Sequence, residues 1–134
     1  IEFRVLKDGM KDRIGKMELE FFKLVHPVET YGVRISSGGK VLAYTSDTLL
    51  TDNLGKLIIK ADVIVGDACI LDVKRTPRSP HLTVKELAES AAKAGAGRLI
   101  LAHLPDIGQD AVLAEAKASF ARSELADDKQ TYEI

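Results

Sequence analysis

The sequence predicts one α/β domain, β-rich over residues 1–46 and then β-α-β-α-β-α over residues 40–134. Short apolar runs of strand length alternate in the second half with segments of helical periodicity, and right-handed crossovers of this kind join parallel strands. The chain has 134 residues, 46% hydrophobic and 29% charged. This length and composition are typical of a folded domain with its own core.

The β-rich part reads as strands joined by turns. Apolar alternation over residues 1–5 predicts an opening strand, and residues 12–15 read as a connection. Residues 17–25 predict a long strand with a bulge at the two adjacent phenylalanines. Pro27 cannot continue a central strand because it has no backbone N–H. A hairpin with a Gly-Gly turn is predicted over residues 31–45.

Three helices are predicted in the second half. Residues 49–59 place their leucines and isoleucines on one face, with a break near Gly55. Thr83 and Glu86 have the spacing of a capping box, which predicts a helix that runs to about residue 94. The Ala-rich residues 111–120 form the last predicted helix, and short extended pieces close the chain.

Three short buried strands each lead to a residue that can bind a metal or carry a proton. The first leads to Asp47, the second to Asp67 and the third to His103. In a parallel sheet these carboxyl ends share one edge, where α/β sheets place their binding sites. The side chains are therefore expected to converge, although Asp47 could instead cap the following helix.

The three histidines of the chain all lie at the ends of predicted elements: His26, His81 and His103. With Asp47 and Asp67 they form a candidate site whose imidazoles and carboxylates suit zinc, manganese or iron. No H-x-H or H-E-x-x-H pair occurs in the sequence. From the residues alone, purely structural histidines stay open as the alternative.

Composition excludes several other classes of protein. The net charge of −1 gives no overall field for nucleic acid. The single Cys69 excludes an intrachain disulfide and is expected to be a small buried residue. No apolar run approaches about 18 residues, so we expect a cytoplasmic protein without a membrane partner. The sequence also lacks a dinucleotide-binding turn and a phosphate-binding P-loop.

Five motifs stand in a recognisable order: HPVETYGVRI, KVLAYTSDT, DVIVGDA, HLT and RLILAHLP. Over about residues 17–134 this order resembles the carboxyl half of the metallo-β-lactamase superfamily, nearest to its ribonuclease Z-like phosphodiesterases. The resemblance implies the carboxyl half of a four-layer αββα sandwich. It also implies a hydrolase that uses two divalent metals, most often zinc.

The resemblance carries roles to individual residues. His26 matches the histidine that completes the shell of the first metal, and His103 matches the last histidine, on the second metal. Asp47 matches the aspartate that bridges the two metals. His81 matches a histidine linked to proton transfer to the leaving group. Asp67 stands where the ribonuclease Z-like branch often has Glu, and it is expected to orient His81.

The sequence departs from the family pattern in two places. Ser46 precedes Asp47 where the family usually has glycine. The signature H-x-H-x-D-H, which would supply two ligands to each metal, does not occur, and the chain starts at Ile1 rather than at Met. We therefore expect a fragment that lacks the amino half, holds metal weakly or not at all alone and is inactive alone.

The expected partners follow from that interpretation. They are the missing amino-terminal half, which would cover an apolar sheet face, a second copy of the chain in a homodimer, and a phosphodiester or RNA substrate. A thioester or lactam hydrolase on the same fold is an alternative function, and a noncatalytic α/β interaction domain is another. The pair of His81 and Asp67 favours the phosphodiesterase.

Overall fold

The computed structural model describes residues 3–106 and 108–134, and one seven-stranded sheet forms its centre. The strands are β1 (Lys11–Ile14), β2 (Met17–Lys23), β3 (Tyr31–Ser37), β4 (Lys40–Tyr44), β5 (Val63–Asp67), β6 (Arg98–Ala102) and β7 (Ser123–Leu125). The helices are α1 (Asp52–Ile58), α2 (Val84–Lys93) and α3 (Gln109–Ser119), with a short 3-10 turn at Asp72–Lys74. The α/β class predicted from the sequence is confirmed.

The strands lie in the sheet in chain order, from β1 to β7. Strands β1 to β4 are antiparallel, and β4 to β7 are parallel. Gly38 and Gly39 form the turn between β3 and β4, both with positive φ, which glycine adopts without steric cost. The predicted change from hairpins to parallel crossovers after residue 40 is confirmed.

The amino-terminal assignments were wrong. Residues 3–7 lie outside the strands, although apolar and polar residues alternate there, and Ile1 lies outside the described residues. Phe3 and Val5 are 89% and 82% exposed, so the alternation buries nothing. The edge of β2 pairs instead with residues 11–14, most of which had been assigned to a connection.

Strand β2 is regular where a bulge was predicted. Its pairing with β3 runs without interruption from Glu18 opposite Ser36 to Lys23 opposite Tyr31. The two adjacent phenylalanines need no bulge because both sheet faces are apolar here. Phe22 joins the core beneath the helices, and Phe21 lies on the opposite face of the sheet beside Val33.

Helices α1, α2 and α3 cover one face of the sheet and form the core with it. Leu54 and Leu57 of α1 and Leu87 of α2 are fully buried in this core. Gly55 lies inside α1 rather than breaking it, since its exposed position needs no side chain. The predicted capping box of α2 is present: Thr83 Oγ1 accepts from Glu86 N, and Glu86 Oε2 accepts from Thr83 N.

The opposite face of the sheet is apolar and only partly covered. It carries alternate residues of β2 to β6, namely Leu19, Phe21, Val33, Ile35, Leu42, Tyr44, Val63, Val65 and Ile100. Tyr132 and Ile134 of the carboxyl-terminal tail lie against its β5–β6 side, and residues 131–134 form no strand. Tyr44 stays 45% exposed. Across the described residues, no helix is long and apolar enough to span a bilayer.

Candidate metal centre

The carboxyl ends of β4, β5 and β6 lie side by side and carry the candidate site. Asp67 is the last residue of β5 and pairs with Ala102 of β6. His103 follows directly and has a left-handed backbone, with φ of 53°. Ser46, just before Asp47, has the same conformation, with φ of 54°. Both turns take the chain sharply away from the strand direction at this edge.

Asp67 is the buried acid of the site, with a side chain that is 1% exposed. Its Oδ2 lies 2.5 Å from His81 Nδ1, and its Oδ1 accepts from the backbone N–H of Cys69 at 3.2 Å. The Asp67 backbone N–H donates to Thr45 Oγ1 at 3.3 Å. A carboxylate this deeply buried persists only with such partners, so its position is fixed before any ligand arrives.

Asp47 and His103 lie next to this buried pair, at the mouth of the site. His103 Nδ1 is 3.3 Å from Asp47 Oδ1 and 3.4 Å from Asp67 Oδ1. The side chains of Asp47 and His103 are 38% and 51% exposed. The site is thus buried at Asp67 and open to solvent at His103.

His26 reaches the same edge from the antiparallel half of the sheet. Its segment is held against the Asp47 loop because Val25 N donates to Thr48 Oγ1 at 3.3 Å and Leu49 N donates to the Val25 carbonyl at 2.9 Å. The His81 ring centre lies 5.2 Å from that of His26 and 5.3 Å from that of His103. The three imidazoles therefore form a row with His81 in the middle.

Cys69 also belongs to this edge, which the sequence interpretation missed. It is half-buried rather than buried, and burial together with the charges of Asp67 and Asp47 raises the pKa of its thiol to about 12. The signal was its place two residues after a strand-terminal acid, where the chain turns back over the carboxyl edge. Expecting only a small buried side chain there overlooked that the turn carries residue 69 to the site.

The donor atoms fit a divalent metal in their chemistry and spacing. Those of His26, Asp47 and His81 all lie within 4.8 Å of one another. Asp47 is near both outer histidines: it belongs to the cluster with His26, and its Oδ1 lies 3.3 Å from His103 Nδ1. Imidazole nitrogen and carboxylate oxygen are suitable ligands for zinc, manganese or iron. The structure thus brings together all five residues predicted from the sequence, and their individual roles stay predictions.

Comparison with known proteins agrees with this geometry. The profile of the "Beta-lactamase superfamily domain" matches residues 6–104. The chain belongs to this superfamily. A probable metallo-hydrolase, YhfI of Bacillus subtilis, is 32% identical over 107 residues, which are 79% of this chain and 44% of that protein. Ribonuclease Z of Bacillus velezensis is 34% identical over 97 residues, 67% of this chain and 32% of that protein.

A solved structure shows the same fold. The crystal structure of the metallo-β-lactamase fold protein YhfI matches with a TM-score of 0.88 at 28% identity, over 96% of this chain and 54% of that chain. The predicted metallo-β-lactamase fold is therefore confirmed. The chain spans about half or less of the length of these superfamily relatives.

Proposed function

We propose that the protein hydrolyses phosphodiesters with two divalent metals, zinc by the chemistry of its donors, and that this chain supplies the carboxyl half of the site. The observation that carries the proposal is the pairing of His81 with the buried Asp67, at 2.5 Å, beside the Asp47 cluster. An imidazole held in this way is placed to give a proton to a leaving oxygen.

The ligands from this chain divide between two positions. His26 and Asp47 would hold one metal, and Asp47 with His103 would hold the other, in keeping with the 3.3 Å between Asp47 Oδ1 and His103 Nδ1. When bound, a metal pair of this kind supplies Lewis acidity and a nucleophile at neutral pH. Manganese or iron would satisfy the same nitrogen and oxygen donors.

The pair of Asp67 and His81 has a separate task. With a proton on Nδ1, His81 donates a hydrogen bond to Asp67 Oδ2, and Nε2 is left as the nitrogen that would exchange a proton with substrate. The carboxylate also stabilises the imidazolium, so His81 can carry the proton until the leaving group departs. A thioester hydrolase has less use for such a proton carrier, because a thiolate leaves without being protonated.

On this proposal the other half of the metal shell comes from outside this chain. Two ligands per metal fall short of the four that zinc usually takes. We propose that an amino half bearing H-x-H-x-D-H supplies the rest and packs on the apolar sheet face around Tyr44, in a cytoplasmic enzyme without a membrane partner. A homodimer is the other assembly that would cover this face. Alone, the chain is expected neither to hold the metal pair nor to turn over substrate.

Reconstitution tests the proposal. Co-expression with an amino-terminal half that carries H-x-H-x-D-H should give two metals per complex and hydrolysis of a diester such as bis(p-nitrophenyl) phosphate. Asp47→Ala should abolish both, whereas Asp110→Asn, an exposed acid in the first turn of α3, should change neither. Full activity in Asp47→Ala would overturn the proposal. Turnover of a lactam or thioester but of no diester would favour the other hydrolases. A complex that binds no metal and turns over no substrate would favour a noncatalytic domain.

A role for His81 in proton transfer predicts a specific kinetic signature. His81→Gln should lower kcat for substrates with poor leaving groups far more than for p-nitrophenolate esters, since p-nitrophenolate departs without a proton. An equal loss for both kinds of substrate would assign His81 a structural role only.

A further inference from the structure

A second set of metal-binding side chains lies at the buried end of the site. It overlaps the two-metal centre only in part, because it uses Cys69 and Asp67 and does not involve His26 or Asp47. One ligand atom from each of its four members lies within 4.8 Å of all the others. The members are Asp67, Cys69, His81 and His103.

We propose that these four residues form a site for one soft or borderline divalent ion, such as Zn²⁺, complete within this chain. One thiolate, two imidazoles and one carboxylate are a full tetrahedral set of the ligand types that zinc prefers. From usual zinc–ligand lengths, ligand atoms around such an ion lie about 3.3–3.7 Å apart. Separations of at most 4.8 Å therefore close with side-chain movements of about 1 Å.

Asp67 is the ligand of this site whose position is most firmly fixed. Its carboxylate is 1% exposed, and the N–H of Cys69 holds the following turn against it, so Asp67 and Cys69 stay together. His103 is already 3.4 Å from the same carboxylate. A cation here would take the place of the protons that now lie between these groups and would balance the buried negative charge. Coordination deprotonates the thiol directly.

The two sites compete for His103. A metal bound by Cys69 and Asp67 draws His103 away from Asp47, which lies 3.3 Å from it on the open side. A single soft ion and the proposed metal pair therefore exclude each other. The chain alone is expected to hold one ion through its thiolate, and this expectation does not depend on the proposed hydrolase activity.

Cobalt substitution tests the site directly, because the chain has one cysteine and any thiolate-to-cobalt band must come from Cys69. Titration of the 134-residue chain with Co²⁺ should give one ion per chain, a near-ultraviolet charge-transfer band and the visible spectrum of tetrahedral cobalt. Cys69→Ser should lose the band. In competition with a chromophoric chelator, it should lose more zinc affinity than the roughly 10–100-fold that an outer-shell partner costs.

His26→Ala is the matched control, because it removes a histidine of the same edge that lies outside this set. It should keep the cobalt band and bind zinc as tightly as the unchanged chain. The proposal is overturned if the unchanged chain gives no band, if Cys69→Ser binds zinc equally well, or if His26→Ala abolishes binding. Circular dichroism should confirm that each variant keeps its helices. None of these results bears on the reconstituted activity, which tests the proposed function separately.

Discussion

Gly97 permits a backbone contact that aligns β6 with β5, and Gly97→Ala should break it. A Cβ at position 97 would lie 2.4 Å from the carbonyl oxygen of Asp62 and 3.2 Å from its carbon. Neither backbone can retreat easily, since Gly97 N donates to the Ala61 carbonyl at 2.8 Å and Asp62 bonds to Val41 through both its backbone N–H and its carboxylate. Overpacking of this kind costs about 1–3 kcal/mol, and a backbone contact belongs at the upper end.

The expected net change follows from that range. Alanine lowers the conformational entropy of the unfolded chain, which favours folding by about 0.4–1 kcal/mol. The net loss of unfolding free energy in Gly97→Ala should therefore be about 2 kcal/mol. With a urea m-value of about 2 kcal/mol/M, the midpoint falls by about 1 M. Gly55→Ala is the control: nothing lies within 4 Å of its Cβ in helix α1, so it should gain about 0.5–1 kcal/mol. A Gly97→Ala variant as stable as the parent would refute the reasoning.

Three more predictions concern the site and its supports. Thr83→Ala removes the acceptor for Glu86 N and should lower the unfolding free energy by about 1 kcal/mol in urea melts, with Lys85→Ala as an exposed control. Asp67→Asn should shift neutral His81 from the Nδ1–H towards the Nε2–H tautomer, visible in its ¹⁵N shifts; an unchanged tautomer would contradict the pairing. Because the pKa of Cys69 is about 12, alkylation at pH 8 should be slower in the folded chain than in urea. Stability should fall as pH rises from about 9 towards 12, because the unfolded thiol loses its proton first.

The carboxyl half of the fold was predictable because its signals are local and agree. The capping box at Thr83 gives the start of α2. Each short buried run is too brief for a helix and is followed abruptly by polar residues. Parallel pairing then brings Asp67 and His103 to one edge without further information. The meeting of His81 with Asp67 followed from the resemblance, since the two residues are 14 positions apart and the connection between them has no periodicity that predicts its path.

The amino-terminal part was harder to predict because apolar alternation does not indicate which segment pairs with a given strand. Phe3 and Val5 alternate as a buried strand would, but the edge of β2 pairs with residues 11–14 instead. The adjacent phenylalanines of β2 suggested a bulge because neighbouring residues of a regular strand point to opposite faces of the sheet. Cys69 was underestimated because its place two residues after Asp67 was not used as a sign that it lies at the carboxyl edge of the sheet.

The left-handed turns at Ser46 and His103 have a kinetic consequence. A residue other than glycine in this conformation stores about 1–2 kcal/mol of backbone strain. The free energy of folding offsets this strain when the native structure forms. At Ser46, a hydrogen bond of 3.0 Å between its Oγ and Thr30 Oγ1 offsets part of it. Both turns are already formed in the structure, so we expect the carboxyl edge to need no backbone rearrangement when an ion binds. In the reconstituted complex, ion capture at Asp47 should then be limited by diffusion and by loss of hydration water. Ser46→Gly, which frees this turn, should slow that capture even as it relieves the strain.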